Sequence, residues 1–123
     1  MHRGLVLALA ILVAGCGGPP TPLTVHDKPV TYWLQALQDP DAKARRKAIE
    51  ALSNVVSADP AVIPALIEAL NDREAGVRGA AVLALLKIGP EAGEAVPALR
   101  KAQKDKDVKV RTYATKALER IVS

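Results

Sequence analysis

The sequence predicts an all-α fold, a short α-solenoid of three helical hairpins on a 33-residue period, behind an apolar leader and a Gly/Pro tether. The period is the first ground. Asp39, Asp72 and Asp105 recur at it, as do Arg45, Arg78 and Arg111, Ala48, Ala81 and Ala114, Ala51, Ala84 and Ala117, and Leu52, Leu85 and Leu118. Val55, Ile88 and Ile121 close each unit with a branched aliphatic residue. A fixed step of this size marks an array in which each unit buries its apolar face only against its neighbours. The second ground is the helical spacing of apolar residues inside each unit. Composition is the third: 50% of the 123 residues are hydrophobic, yet there is no Phe, one Trp and two Tyr. A core of Ala, Leu, Val and Ile lets helices approach closely and suits stacked hairpins better than a cavity for a large cofactor, so no cofactor is expected.

At the N-terminus, Met1-His2-Arg3 is a short basic start and Gly4 to Val13 an almost unbroken aliphatic run. The run is too short for a membrane-spanning helix, which needs about 20 apolar residues, and has the length of a signal-peptide core. It ends in Val13-Ala14-Gly15-Cys16. These four residues resemble the lipobox of bacterial lipoproteins, which has small residues at the two positions before an invariant Cys and more often Leu where Val13 stands. The resemblance implies that residues 1–15 are a lipoprotein signal peptide. It also implies that Cys16 takes a diacylglyceryl group on its sulfur and becomes the mature, acylated N-terminus. An ordinary secretory signal cleaved near Ala14 or Gly15 and an uncleaved anchor are the competing readings. Two or more acyl chains hold a protein on a membrane stably where one does so only marginally. Gly17 stands where the family's inner-membrane retention signal has Asp, which favours the outer membrane in a bacterium that has one. Cys16 is the sole cysteine, which excludes an intramolecular disulfide.

Residues 16–29 read as the lipidated Cys and a flexible tether, because Gly17-Gly18-Pro19-Pro20-Thr21-Pro22 cannot make helix or central strand. The dozen residues before Pro29 reach on the order of 35 Å when extended, which keeps the domain close to its membrane.

The domain follows over residues 30–123, with repeats at about 30–57, 60–89 and 93–122. First helices are expected at Val30–Gln38, Ala61–Asn71 and Ala95–Lys104. Pro64 and Pro97 fall in first turns, where a missing N–H costs nothing. Second helices are expected at Ala42–Val56, Ala75–Ile88 and Val108–Val122. Between each pair stands an Asp-x-acid triplet, Asp39-Pro40-Asp41, Asp72-Arg73-Glu74 or Asp105-Lys106-Asp107, whose carboxylates cap the second helix and complement its dipole. Asp59-Pro60 and Gly89-Pro90 break the chain between repeats.

Residues 62–88, from Val62-Ile63-Pro64-Ala65-Leu66-Ile67 through Val77-Arg78-Gly79-Ala80-Ala81-Val82-Leu83-Ala84-Leu85, resemble the HEAT-like repeats first noted in phycobilisome lyases. So do Ala95-Val96-Pro97-Ala98-Leu99 and Val110-Arg111-Thr112-Tyr113-Ala114. The resemblance covers about residues 30–122. The first repeat departs most, with Trp33 for Leu66 and Leu99 and Ala44 for Val77 and Val110, as a terminal repeat with one open side should. Members of this family line a concave surface with their second helices.

Asp39, Asp72, Asp105 and Arg45, Arg78, Arg111 are expected to form a structural ladder of charge-assisted hydrogen bonds between neighbouring repeats, since a catalytic group would appear once and not three times. On the face opposite the core, Leu83, Lys87, Lys109, Tyr113, Lys116 and Arg120 form the candidate partner-binding patch, an aliphatic and an aromatic residue ringed by cations that suits an acidic partner segment. No His/Cys spacing for a metal occurs, no glycine-rich phosphate loop follows a strand, and Ser53, Ser57 and Ser123 have no His to activate them in the folded region. No enzyme is expected.

Formal net charge is +4, too mild to call for nucleic acid as a partner. Residues 96–123 hold eight basic and three acidic groups, against three and five in residues 60–95. The expected function is a lipid-anchored protein–protein interaction module, a scaffold or adaptor, exported to the bacterial cell envelope. One alternative is an electrostatic binder of anionic lipid or cell-wall polymer through the basic third repeat. A remote one is a phycobilin-lyase-like subunit, which an export signal contradicts. With no polar capping helix evident after the third repeat, the solenoid end is expected to be uncapped and open to a homodimer contact.

Overall fold

The computed structural model describes residues 24–56 and 59–123. The signal peptide, Cys16 and most of the tether lie outside them. The described chain opens with a small antiparallel hairpin, β1 (Thr24–Val25) and β2 (Lys28–Pro29), with Thr24 opposite Pro29 and Val25 opposite Lys28. Its two-residue loop, His26-Asp27, has φ of 51° and 62°, the left-handed pair that a tight hairpin turn requires. His and Asp are among the few side chains that enter this region readily. The expectation of a tether running to Pro29 is thus corrected: its last six residues are structured. The cause is Trp33. Unlike Leu66 and Leu99 at the equivalent places, Trp33 carries an N–H that must be satisfied when buried, and its Nε1 donates to the Val25 carbonyl at 3.0 Å.

Three helical hairpins follow. They are α1 (Val30–Ala36) with α2 (Ala42–Leu52), α3 (Val62–Ala69) with α4 (Ala75–Ile88), and α5 (Val96–Ala102) with α6 (Val108–Val122). A 3₁₀ segment, Gly89–Ala95, joins the second hairpin to the third. α4 and α6 have the expected bounds. The first helices stop two residues early, because each last turn tightens to i→i+3 bonds: Asp39 N to Ala36 O at 3.1 Å, Asp72 N to Ala69 O at 3.2 Å, Asp105 N to Ala102 O at 3.1 Å. Each of these Asp side chains then accepts the N–H two residues on, from Asp41, Glu74 and Asp107, at 2.8–2.9 Å. Asp41 and Asp107 cap α2 and α6 by accepting from Lys43 N and Lys109 N. Glu74, one methylene longer, makes no such bond on α4.

The core is the periodic set itself. Ala48, Ala81, Ala114, Ala51, Ala84 and Ala117 are all at most 5% exposed, and Trp33, Leu66 and Leu99 are buried beside them. Small side chains at these six places set how closely the helices stack.

The outer faces of the first and third repeats carry different side chains from the faces between repeats. Ile49 and Val82 are buried against the following repeat, whereas their equivalent, Thr115, is exposed. Leu37 and Leu70 become Gln103, and Leu34 and Ile67 become Arg100. Gln103 Nε2 donates to Thr115 Oγ1 at 3.1 Å, joining the two polar replacements across α5 and α6. Full burial of an aliphatic side chain stabilises by about 1.5–3 kcal/mol, a gain complete at Ile49 and Val82 and partial at Leu34, Leu37 and Ile67, so exposing all three positions together would be costly. At the other end Tyr32 stands exposed where Ala65 and Ala98 are half-buried, with Lys28 Nζ 5.2 Å from its ring centre.

Candidate interaction surfaces

The second helices α2, α4 and α6 run side by side and expose the face that the sequence assigns to the side away from the core. Between α2 and α4 this face forms an open groove of about 530 Å³. Four cations, Lys43, Arg46, Lys47 and Lys87, and one carboxylate, Glu50, surround a floor that includes Ala80, Leu83 and Ala84. Leu83 is 41% exposed, a large aliphatic group held at the surface by the helix phase that buries Val82 and Leu85 on either flank. Arg46 lies 3.7 Å from where a Cβ on Gly76 would stand, so a larger residue there would compete with the guanidinium for the space.

The expected patch is therefore only partly assembled as foreseen. Leu83 and Lys87 meet the cations of α2 in the groove, and Lys87 Nζ also donates to Asn54 Oδ1 of the first repeat. Arg120, one period after Lys87, lies over Gly89. Lys109 and Lys116 are exposed on α6. Tyr113 is half-buried and packed against the core, so its ring is less available than a surface aromatic. Lys43, Arg46 and Lys47 of α2 line the groove but lie outside the expected patch, which drew its residues from α4 and α6.

The recurring Asp and Arg residues build two complete rungs. Arg45 Nε and Nη2 donate to the two carboxylate oxygens of Asp72 at 2.9 and 3.1 Å, and Arg78 does the same to Asp105 at 2.8 and 3.0 Å. Each rung joins one repeat to the next. The remaining Nη1 of each arginine donates backward to the backbone before its own helix, Arg45 to Asp39 O and Arg78 to Asp72 O, both at 2.8 Å. The Asp105 carboxyl is held below the usual range by the Arg78 hydrogen bond, against burial and with help from the Asp107 N–H. For Asp72, burial pushes up, and the bonds from Arg45 and the Glu74 N–H outweigh it. The arginines are shifted up in turn by the same bonds, against burial. Arg45 and Arg78 are 3% and 6% exposed, and among the described residues no buried side-chain nitrogen or oxygen lacks a partner. The rungs are thus saturated and structural. Asp39 and Arg111, the outer members, are not joined to a rung among the described residues. Among the described residues there is also no group of three or more His, Cys, Asp or Glu that could hold a metal, and no helix long and apolar enough to cross a membrane.

Solved structures of repeat solenoids superimpose on this architecture. Two engineered proteins align over 76% of the chain, at 27% identity with a TM-score of 0.59 and at 26% identity with a TM-score of 0.57. A designed armadillo repeat protein aligns over 75% at 24% identity, TM-score 0.55, and shows the fold alone. The alignments span 45%, 27% and 46% of those proteins' lengths, so this chain corresponds to less than half of each. None of the curated proteins matches the sequence. The family described as HEAT repeats matches residues 30–119, nearly the whole of the three hairpins. The chain belongs to the HEAT-repeat family.

Proposed function

We propose that this protein is a lipid-anchored interaction module of the bacterial envelope, held by Cys16 and taking an acidic segment of a protein partner along its second helices. The observation that carries the partner chemistry is the groove between α2 and α4, where Lys43, Arg46, Lys47 and Lys87 surround an exposed Leu83. Cations steer and orient an acidic chain, while an apolar anchor supplies the desolvated contact that gives affinity. Anchoring raises the effective concentration of the module near membrane partners. The reading assigns no catalytic step to any residue.

The test is a crosslinking pull-down from native membranes with the tagged full chain. Cys16→Ser should abolish labelling by radioactive palmitate and release the protein from the membrane fraction. Capture of one envelope protein should fall by about tenfold or more when Leu83→Asp is combined with Lys47→Glu. Undiminished capture by that variant would exclude the groove.

A second reading rests on the basic third repeat, with its eight basic and three acidic groups in residues 96–123. There the partner is anionic lipid or cell-wall polymer, and binding disappears between low and moderate salt because exposed charges are screened.

A further inference from the structure

The outer face of the third repeat carries polar side chains at positions where the faces between repeats carry aliphatic ones. The interior shows what such a face receives. In the groove between the first and second repeats, Leu34, Leu37 and Gln38 stand beside Arg45 and meet Asp72 of the repeat that follows. Between the second and third, Ile67, Leu70 and Asn71 line the equivalent groove with Asp105, which Arg78 clasps. One period on, the same positions hold Arg100, Gln103 and Lys104 beside Arg111. The aliphatic pair has become a cation and an amide, the neighbouring amide has become a second cation, and Gln103 is fixed by its bond to Thr115.

Arg111 is already set for its partner. Its Nη1 donates to Asp105 O at 2.7 Å, the bond that aims Arg45 and Arg78 at 2.8 Å. The guanidinium is planar and rigid, so fixing one nitrogen in this way directs the Nε–Nη2 edge. In the two interior rungs that edge holds both oxygens of a carboxylate. Among the described residues, it holds none in Arg111.

We propose that this face, with Arg111 as its fork and Arg100 and Lys104 as flanking cations, is a second docking site, and that it takes an acidic turn of a partner protein. The partner's carboxylate occupies the place that Asp72 and Asp105 fill in the interior. A carboxylate fits the edge in two parallel bonds, and net negative charge on the segment complements the flanking cations. A second copy of this chain fits less well, because its opposite end presents Tyr32 where a stacking repeat has Ala65 or Ala98. The site does not depend on occupation of the groove between α2 and α4.

The experiment is an NMR titration of the isotope-labelled full chain in detergent micelles, following the arginine Nε–Hε resonances. The probe is a blocked peptide of residues 68–76, the acidic segment that the Arg45 fork receives. The expected result is a shift of the Arg111 resonance, with affinity reduced about tenfold by Arg111→Lys, which keeps the charge and loses the fork. Arg100→Ser, an exposed change that spares the fold, should weaken binding several-fold. Lys47→Glu in the concave groove should leave it unchanged, which separates this site from the one proposed above. The proposal is overturned if Arg111 does not respond, if Arg111→Lys binds as wild type, if an Asp72→Asn peptide binds equally, or if inorganic phosphate moves Arg111 as far as the peptide does.

Discussion

Each arginine in an interior rung sits where two demands meet. Its guanidinium is nearly inaccessible, so it must be neutralised and fully hydrogen-bonded, and the next repeat supplies a carboxylate with matching geometry. Burying a charged pair adds little net stability, whereas removing one member leaves the other stranded. Asp105→Asn should therefore lower unfolding free energy by about 2 kcal/mol, the loss typical of a hydrogen bond to a charged group, read from the urea midpoint. The same residues set the acid response. Asp72 and Asp105 have folded-state pKa values below their unfolded ones, so the fold favours their deprotonated forms. Their contribution is complete above the unfolded value of about 4 and is lost as pH falls through the lowered folded values. Stability measured by thermal melts should decline below roughly pH 4, and the Asp72→Asn/Asp105→Asn double variant should show a shallower acid limb.

At the scale of elements, two glycines, one in the first turn of α4 and one directly after its last residue, have opposite roles. Gly89 ends the helix at φ 76°, ψ −143°, a conformation essentially reserved for glycine. A Cβ there would also stand 3.1 Å from Arg120 Nε. Gly89→Ala should destabilise by about 1–3 kcal/mol, seen as a lowered denaturant midpoint. Gly76 lies in ordinary helical backbone with only Arg46 near it, at van der Waals distance. Gly76→Ala should be neutral or stabilising by up to about 1 kcal/mol. The first helices illustrate a limit of periodicity. Apolar spacing placed them correctly, but their ends depend on where the tightened last turn begins. That turn is selected by the Asp that must reach the backbone N–H two residues on and, at Asp72 and Asp105, a neighbouring arginine as well. The hairpin over residues 24–29 was illegible for a related reason. Its turn lacks the usual Asn-Gly signal, and what holds it is Trp33, eight residues from its acceptor.

For the whole molecule, Arg100, Gln103 and Thr115 give the third repeat a more polar outer face than the faces on which the repeats stack. Restoring the interior pattern with Arg100→Ile, Gln103→Leu and Thr115→Val should create an apolar face and drive concentration-dependent self-association. Analytical ultracentrifugation would detect it, and a variant that sediments as wild type does would show that these residues are not what limits stacking. The unmodified end face, rich in cations, instead favours acidic company.

The three hairpins, the alanine core and the residue types of the ladder followed from the sequence alone, because each repeats at one step and each depends on helical phase, which is local. Which partners meet did not. Asp39 lies six residues from Arg45 yet gives it only a backbone carbonyl, while the carboxylate comes from Asp72 in the next repeat. The groove joining Lys43 and Arg46 to Leu83 is likewise a product of how α2 and α4 lie together. The polar end face was written in the sequence at Arg100, Gln103 and Thr115, but its meaning required knowing that those positions face the next repeat. Helical periodicity says which way a side chain points from its own axis, and only the packing of one hairpin on another decides what stands there.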